Sequence, residues 1–358
     1  MYRNSLMERL ALDHPIIQAP MAGGGDTPEM VMAVGKAGGL GSMGVSYLQP
    51  DRIGANAARV REGSNAGFAV NLFAPLDPPP FPADPGPALD FVRPHYQALG
   101  ITPPGTINGA EFDFEAQVEQ VLDSGASVFS FAFGIMPDHV IDRARQRGML
   151  VMGTATSVAE AQTLEAAGVD AVIAQGAEAG GHRAGFGADL TRAMVGTMAL
   201  VPQVVSTVGV PVVASGGITD GRGVAAALAL GASAAQIGTA FLTTTEAGIP
   251  EAHKQAILTA KETDTTLTRA FSGRPARGIR NRVIADGEAM PNRLLDFPYQ
   301  NALTRALRAE AAKQQNPDFL SLWAGQGLGL ARRLSAAELM QCLVEEMQAA
   351  LASAARYG

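Results

Sequence analysis

Short apolar runs alternate with alanine-rich helical stretches through most of the chain. The runs are rich in Val, Ile, Ala and Phe, and their apolar character is nearly continuous, as in parallel strands buried on both faces. The helical stretches carry end signals, such as Gly168 after the predicted helix at residues 158–167. Eight successive strand–helix units predict an α/β fold, a (β/α)8 TIM barrel, rather than an open doubly wound sheet. The predicted strands are residues 14–18, 39–43, 66–73, 127–133, 150–154, 171–175, 211–215 and 234–238.

Two regions interrupt this pattern. Ten of the 22 prolines fall between residues 75 and 104, and prolines at this density predict a long loop over the barrel mouth. Beyond residue 243 the strand pattern stops and helical patterns dominate. The predicted organisation is a barrel at 1–242 with the proline-rich loop at 74–109, a smaller, mainly helical cap domain at 243–319, and a C-terminal segment at 320–358 whose amphipathic helix (335–356) packs back on the barrel.

Composition limits the partners and the compartment. The hydrophobic fraction of 47% can fill a large core, and 41 glycines suit a fold with many tight turns. The net charge of -7 argues against nucleic acid or an anionic membrane as a partner. The start lacks the apolar core of a signal peptide, and the single cysteine, Cys342, fits a reducing cytoplasm. We therefore expect a cytoplasmic protein, monomeric or homodimeric, with no bound metal.

Glycine-rich turns follow the seventh and eighth predicted strands, and active sites of this fold lie at the C-terminal strand ends. Gly216 and Gly217 allow close backbone approach to a ligand, and Gly238 and Thr239 add an amide and a hydroxyl from the next strand. Thr219 or Asp220 can cap the following helix, whose N-terminus is positive. Together the turns predict a phosphate cradle; the alternative is two ordinary glycine turns.

Two amides and one histidine stand out among the other strand ends. Asn71 and Gln175 lie inside apolar strands, where they either bind a planar heterocycle or are satisfied by neighbouring backbone, and the sequence leaves both possibilities open. His182 follows two glycines at the end of strand 6, so it is predicted to face a ligand and to take a proton. The other four histidines (His14, His95, His139 and His253) are interpreted as structural or exposed.

Charged residues near the predicted mouth give weaker signals. Glu178 could act as an acid or a base, although a carboxylate in such a turn more often orients a neighbouring loop. Six arginines between Arg269 and Arg293 form a positive cluster in the predicted cap, most of them expected to be solvated or structural. One of them could still meet an anionic substrate.

The chain resembles the nitronate monooxygenases, formerly called 2-nitropropane dioxygenases, of the class I type. The resemblance covers almost the whole chain. It rests on these stretches: QAPMAG at 18–23, GAEAGGH at 176–182, ASGGI at 214–218, QIGT at 236–239, FSGRPAR at 271–277 and LWAGQG at 322–327. The GGH stretch is shared with a wider group of flavin-binding barrels, and the C-terminal motif narrows the match to the nitronate branch.

This resemblance implies an FMN cofactor and His182 as the catalytic base. An alkyl nitronate such as propionate 3-nitronate would pass one electron to the flavin, giving a semiquinone, and O2 chemistry would then yield a carbonyl compound and nitrite. Neither a metal nor a nicotinamide is required. By position, the residues implied to contact FMN are Ala19, Pro20, Met21, Ala22, Asn71, Gln175, Gly180, Gly181, Ser215, Gly216, Gly217, Gln236, Ile237, Gly238 and Thr239.

Several alternatives stay open from the sequence. Tyr299 and Trp323 are candidate substrate contacts, or they simply pack the cap on the barrel. FMN-dependent NAD(P)H:quinone reductases and enoyl-acyl-carrier-protein (enoyl-ACP) reductases share the barrel and the GGH turn, and cap loops decide between these activities. A barrel that binds a phosphorylated ligand without turnover would leave His182 without a role.

Overall fold

The computed structural model describes residues 3–77, 79–107, 113–187, 189–190 and 193–357. Parts of the predicted proline-rich loop, including residues 78, 108 and 109, and the last residue of the predicted C-terminal segment lie outside these ranges. The strands are β1 Ile16–Gln18, β2 Gly41–Gly44, β3 Phe68–Phe73, β4 Val128–Ala132, β5 Leu150–Ala155, β6 Ala171–Gln175, β7 Gly181–His182, β8 Val212–Ser215, β9 Ala234–Ile237, β10 Thr265–Thr268 and β11 Ala276–Ile279.

Eight of these strands form one parallel barrel. The strand order is β1-β9-β8-β6-β5-β4-β3-β2, and a parallel bridge between Ile17 and Leu40 brings β2 back beside β1. Each barrel strand coincides with a predicted strand to within two residues at either end. The predicted TIM barrel is confirmed, with predicted strands seven and eight corresponding to β8 and β9.

Helices surround the barrel and build the cap. They are α1 Ser5–Arg9, α2 Pro28–Lys36, α3 Pro50–Gly63, α4 Gly86–Ala98, α5 Phe114–Leu122, α6 Asp138–Gln146, α7 Val158–Ala166, α8 Thr197–Val205, α9 Gly221–Ala229, α10 Thr239–Leu242, α11 Glu251–Thr259, α12 Arg282–Ala289, α13 Tyr299–Lys313 and α14 Ala336–Ala354. Short 3-10 helices span Pro291–Arg293, Pro317–Phe319, Gln326–Leu330 and Ala355–Tyr357. No helix within the described ranges is long and apolar enough to cross a membrane.

The C-terminal helix α14 completes the ring of helices around the barrel. It packs on α9 and α2, between the last and the first strand–helix units, and buries Leu339, Met340 and Leu343. Ser335 and Glu338 form a reciprocal capping box at its start, which fixes where the helix begins. Helix α14 thus lies within the stretch where the sequence predicts an amphipathic helix, and it packs against helices of the barrel.

Two hydrophobic clusters hold the barrel together. One fills the space between strands and helices, as expected when both faces of the sheet are covered. The other lies inside the barrel, where Ile17, Ile173 and Val213 pack together with Leu6 and Met7 of α1. Because α1 shares this inner core, it closes the barrel at one end and leaves the C-terminal strand ends as the accessible mouth.

The cap has its own core and differs from the prediction in two ways. First, β10, β11 and β7 form an antiparallel sheet, although no strand was predicted beyond residue 243. The β10 sequence is Thr-Thr-Leu-Thr, and its β-branched threonines favour a strand. Because threonine is polar, a search for apolar runs does not detect this strand. Second, the predicted proline-rich loop contains α4.

Helix α4 forms because one of its two prolines occupies a tolerated position. Pro87 lies in the first turn, where backbone N–H groups have no partner within the helix, so the N–H that proline lacks is not needed there. Beyond it, Phe91, Val92 and Tyr96 are buried in the cap core. The prediction from proline density was therefore wrong for residues 86–98, because burial of apolar side chains in the cap core stabilises a helix that the local sequence disfavours.

Candidate functional site

A cavity of about 420 Å³ opens at the C-terminal ends of the barrel strands, beneath the cap. This volume is within the range of cofactor and small-molecule pockets. The predicted site residues that line it are Ala19, Pro20, Met21, Ala22, Asn71, Gln175, Gly180, Gly181, His182, Ser215, Gly216, Gly217, Gln236, Gly238, Thr239 and Trp323. These residues come from the ends of five barrel strands, from the cap strand β7 and from the C-terminal segment.

The turn after β8 can exist only with glycines. Gly216 and Gly217 have φ angles of 107° and 73°, a region that other residues rarely adopt. A Cβ on Gly217 would also lie 3.0 Å from the Cβ of Glu178. The turn thus presents bare backbone to the cavity, as a phosphate cradle requires.

The short helix α10 follows β9 with an open N-terminus. Its N-cap is Gly238, and no side chain caps it among the described residues, so its first amides remain for a ligand. Helix α9 is different, because Asp220 caps it and the amide of Gly221 donates to Glu346. Of the two helix starts near these turns, α10 is the one suited to an anion.

The two buried amide side chains have different surroundings. Gln175 is largely satisfied internally: its Oε1 accepts from Arg183 and from the Ala184 amide, and its Nε2 donates to the His182 carbonyl. Asn71 donates from Nδ2 to Ser130 Oγ at 3.0 Å, and its Oδ1 has no hydrogen bond among the described residues. Asn71 is therefore the better placed to bind a ligand, while Gln175 holds the turn that carries His182.

A buried carboxyl group fixes the turn after β1. Asp26 accepts hydrogen bonds from the amides of Met21 and Gly44, at 2.6 and 2.8 Å. Burial raises the pKa of Asp26 to about 7, although these amide hydrogen bonds act in the opposite direction. Asp26 thereby fixes the backbone that borders the cavity on the β1 side.

His182 is held between barrel and cap. It lies on β7, whose partner strand β11 places Ala276 opposite it. Its Nε2 is 2.8 Å from Ser272 Oγ, and that hydroxyl donates its one proton to the Arg274 carbonyl at 3.1 Å. With the hydroxyl proton directed at the Arg274 carbonyl, Nε2 of the neutral ring donates to Ser272, and Nδ1 is the nitrogen that can accept a proton. The ring also packs 5.5 Å from Trp323, measured between ring centroids.

The charge environment keeps His182 neutral. Burial, together with the nearby cations Arg274 and Arg308, lowers the pKa of His182 to about 3. Arg274 stacks on Phe133, 4.1 Å from the ring centroid, and Arg308 also lines the cavity. An uncharged imidazole beside two guanidinium groups forms a base next to an anion-binding surface.

Comparison with known proteins identifies the family. A family model described as nitronate monooxygenase matches residues 4–346. A probable nitronate monooxygenase from Staphylococcus saprophyticus is 42% identical over 339 residues, which cover 94% of this chain and 95% of that protein. The chain belongs to the nitronate monooxygenase family. The family resemblance is thus confirmed, and an oxidoreductase that acts on nitronates is the activity that membership supports.

Solved structures agree with this assignment. The nitroalkane oxidase from Streptomyces ansochromogenes matches with a TM-score of 0.91 and 38% identity, covering 98% of this chain and 99% of that one. FabK from Thermotoga maritima matches with a TM-score of 0.79 and 28% identity over the full length of both chains. Both likenesses extend through the cap as well as the barrel.

Two predicted site residues do not line the cavity of this nitronate monooxygenase family member. Ile237 is fully buried in the core around the barrel strands, since alternate residues of a strand point to opposite faces. Tyr299 begins α13, and its hydroxyl donates to the Pro79 carbonyl at 3.0 Å while its ring packs edge-on against Phe81. Tyr299 therefore joins the proline-rich segment to the cap, and only Trp323 of the predicted substrate pair reaches the cavity.

His253 was interpreted as structural or exposed, and in the structure it is buried at the edge of the cavity. Its Nε2 is 3.1 Å from the Trp323 carbonyl, which can only accept, so His253 donates there. Burial lowers its pKa to about 4, opposed by that hydrogen bond. His253 thus holds Trp323 in place, and its position on a cap helix gave no sequence signal of this.

The glycines of the C-terminal motif pack directly on the turns that follow β6 and β8. A Cβ on Gly180 would lie 2.5 Å from the Gly325 amide nitrogen, and a Cβ on Gly327 would lie 2.7 Å from the Gly217 carbonyl. The Gly325 amide also donates to Thr239 Oγ1 at 2.9 Å. The motif was recognised in the sequence, but its glycines were not assigned to the site.

Further cavity residues that sequence reasoning missed are Tyr47, Phe73, Phe133, Thr154, His253, Asn301, Arg308, Gly325 and Gly327. Phe73 ends β3, and Tyr47 and Phe133 come shortly after β2 and β4, so their strand-end positions were a usable signal. Arg308 lies in the middle of α13 and had none. Glu178 accepts hydrogen bonds from the amide and hydroxyl of Thr197, as expected of a carboxylate that orients a loop.

Proposed function

We propose that this chain is an FMN-dependent nitronate monooxygenase that oxidises alkyl nitronates, such as propionate 3-nitronate, with O2 to a carbonyl compound and nitrite. The observation that carries the proposal is the placement of neutral His182 in the same cavity as the bare glycine turns after β8 and β9. The single cysteine, Cys342, supports a cytoplasmic enzyme, which we propose acts as a monomer or a homodimer.

The residues present fit FMN. The Gly216–Gly217 backbone and the open start of α10 can bind its phosphate, since both present amides without a competing side chain. Asn71 Oδ1 offers an acceptor to the ring system, and the backbone at Ala19–Ala22 borders the same space. When bound, FMN supplies a ring that accepts electrons from the nitronate and passes them to O2.

The side chains around His182 favour an anionic substrate. Arg274 and Arg308 attract a nitronate, whose negative charge is delocalised over carbon and oxygen. For a neutral nitroalkane, His182 Nδ1 takes the α-proton, and the new nitronate forms beside the two cations. The same cations disfavour the imidazolium form of His182. A preformed nitronate needs no proton transfer to His182, so we expect it to be a better substrate than the neutral nitroalkane. Trp323 and Phe133 flank the imidazole and exclude water from it.

The deciding experiment is nitrite release from propionate 3-nitronate by the purified protein, in air and without NADH. We expect nitrite to form with matching O2 uptake. If no nitrite forms and NADH bleaches the flavin anaerobically, the protein is instead a quinone or enoyl-ACP reductase on the same barrel. Bound flavin with no turnover of nitronates or pyridine nucleotides would leave only a binding function.

A further inference from the structure

A buried carboxyl group on α7 binds the segment of chain that follows β7. Glu160, in the first turn of α7, has only 4% of its surface exposed. Its Oε1 accepts from the amides of Phe186 and Gly187 at 2.7 and 2.6 Å. Its Oε2 accepts from the amide and the hydroxyl of Thr156 at 2.6 and 2.8 Å. A buried carboxylate is costly unless donors satisfy it, and four donors do so here. Glu160 therefore joins the start of α7 to residues 183–187.

Residues 183–187 in turn hold the cation Arg274. Its Nε donates to the Arg183 carbonyl at 3.1 Å, and its Nη2 donates to the Gly185 carbonyl. Burial lowers the pKa of Arg274 to about 10, and the negative charge of Glu160 acts in the opposite direction. The position of this guanidinium is thus set by backbone carbonyls that lie next to the amides bound by Glu160.

The same segment also holds Phe133, whose ring contacts both Arg274 and His182. The amide of Phe133 donates to the Ala184 carbonyl at 2.9 Å. Phe133 has a φ of 75°, which a bulky residue adopts only at an energetic cost and only where surrounding contacts maintain it. Its ring centroid lies 4.1 Å from the guanidinium carbon of Arg274 and 5.8 Å from the centroid of the His182 ring. One segment therefore fixes both the cation and the aromatic ring beside the imidazole.

We propose that Glu160 is a positioning residue for the active site. By holding residues 183–187, it keeps Arg274 and Phe133 in place beside the imidazole. It does not itself line the cavity, so it acts through these two side chains. The inference rests on the proposed function, in which Arg274 attracts an anionic nitronate. Such an anchor needs an oxygen at the backbone amides, whereas a counter-charge to the arginines would need only the negative charge.

Two substitutions of Glu160 separate anchoring from charge. Glu160→Gln removes the charge but keeps one oxygen for the amides of Phe186 and Gly187. Its NH2 group can donate to the Thr156 hydroxyl, which is able to accept. Glu160→Ala removes both oxygens. With a preformed alkyl nitronate, we expect Glu160→Ala to raise KM by about 5- to 50-fold and to change kcat by less than about 3-fold, because a displaced cation weakens anion binding. Glu160→Gln should raise KM by no more than about 3-fold.

A double-mutant cycle tests whether Glu160 acts through Arg274. Arg274→Met should raise KM for the nitronate at least as much as Glu160→Ala does. The combined variant should then raise KM by no more than about 3-fold beyond Arg274→Met alone, because the anchor has lost the group that it positions. Asp170→Asn is the matched control, since Asp170 also accepts from a backbone amide, that of Val151, but at the N-terminal end of the barrel. It should leave KM and kcat unchanged.

Two results would overturn the positioning role. Equal rises in KM for Glu160→Gln and Glu160→Ala would leave only a role for the charge. Effects that multiply in the cycle would mean that Glu160 does not act through Arg274. If Glu160→Ala fails to fold, Glu160→Asp keeps the test decisive, because it retains the charge while its shorter side chain withdraws the oxygens from the amides. An unchanged KM in Glu160→Asp would contradict the anchor.

Binding of nitrate separates this inference from the proposed function. Nitrate is a planar anion with the shape of a nitro group, and it cannot be oxidised further. In calorimetry, we expect Glu160→Ala and Arg274→Met each to raise the Kd for nitrate by about 5- to 50-fold. If no nitronate yields nitrite and these losses appear, the proposed function fails and the positioning role stands. If nitronates are oxidised, and Glu160→Ala matches the wild-type protein in KM and in nitrate binding, the positioning role fails and the function stands.

Discussion

The chemistry proposed for the cavity depends on the protonation state of His182. Burial and two neighbouring arginines hold its pKa near 3, so the ring is neutral at physiological pH. Ser272 fixes the proton on Nε2, since its hydroxyl already donates to a carbonyl. In this tautomer Nδ1 carries the lone pair that can accept a proton. This arrangement favours anion binding over strong base catalysis, because each proton gained by the ring is repelled by Arg274 and Arg308.

Replacing His182, the proposed base, should separate two kinds of substrate. We predict that His182→Asn keeps its flavin, because the imidazole contacts Ser272, Trp323 and Phe133 and not the glycine turns. Nitrite release from a neutral nitroalkane should fall by about 100- to 10,000-fold, the usual range for loss of a general base. Release from the matching preformed nitronate should fall much less. Equal rates for variant and wild type on the neutral nitroalkane would remove His182 from the mechanism.

Residue roles could be predicted only where local sequence carries them. His182 stood out because glycines precede it at a strand end, and the cavity does form there. His253 and Arg308 reach the cavity from cap helices, and nothing in their neighbouring residues marks this position. Tyr299 shows the opposite failure, since an aromatic in the cap was expected at the substrate and instead contacts Pro79. Such positions are decided by tertiary packing, which single-sequence patterns do not contain.

At the scale of elements, the barrel strands were predictable because both of their faces are buried. In a chain where strands alternate with helices, a short continuous apolar run indicates a buried parallel strand. The limits of β3, β5 and β6 therefore lie close to the predicted ones. The cap strands β10 and β11 are four residues each, and their sequences, Thr-Thr-Leu-Thr and Ala-Arg-Gly-Ile, contain no continuous apolar run, so the hydrophobic pattern missed them. Their importance is in pairing, since β11 holds β7 and thereby His182.

The turn after β8 offers a direct test of the cofactor site. We predict that Gly217→Asp purifies without flavin and binds FMN about 100-fold or more weakly, because it places a carboxylate where the phosphate is proposed to lie. The new Cβ would also crowd Glu178 at 3.0 Å. The matched control is Gly148→Asp, because Gly148 has a similar φ of 76° with open space around it, between α6 and β5. A yellow Gly217→Asp protein would show that the phosphate binds elsewhere.

At the scale of the whole molecule, barrel and cap build the cavity jointly. The GGH stretch belongs to the barrel in sequence, yet β7 is a strand of the cap sheet. The chain then returns, and Gly325 packs on the β6 turn before α14 completes the helical ring. The sequence predicted three successive segments, and those boundaries remain a prediction. It could not predict that the segments interlock, because the contacts join residues that are far apart in the chain.

The interlocking has a measurable consequence for stability. Trp323 is the only tryptophan and packs on His182 and Phe271, so its emission reports on the junction between barrel and cap. Circular dichroism at helical wavelengths follows the whole molecule. We predict that both signals change at the same denaturant concentration, because the junction cannot open without unpairing β7 from β11.

Removing FMN should shift this single transition without splitting it. If FMN is the cofactor as proposed and binds only the folded state, free FMN at about 100 times its dissociation constant should raise the free energy of unfolding of the flavin-free protein by about 2.7 kcal/mol. Gly217→Asp should show no such rise, and Gly148→Asp should show the full rise. A Trp323 transition that precedes the circular dichroism transition would mean that the cap opens alone. In that case the cap would unfold independently of the barrel, and FMN would stabilise only the barrel.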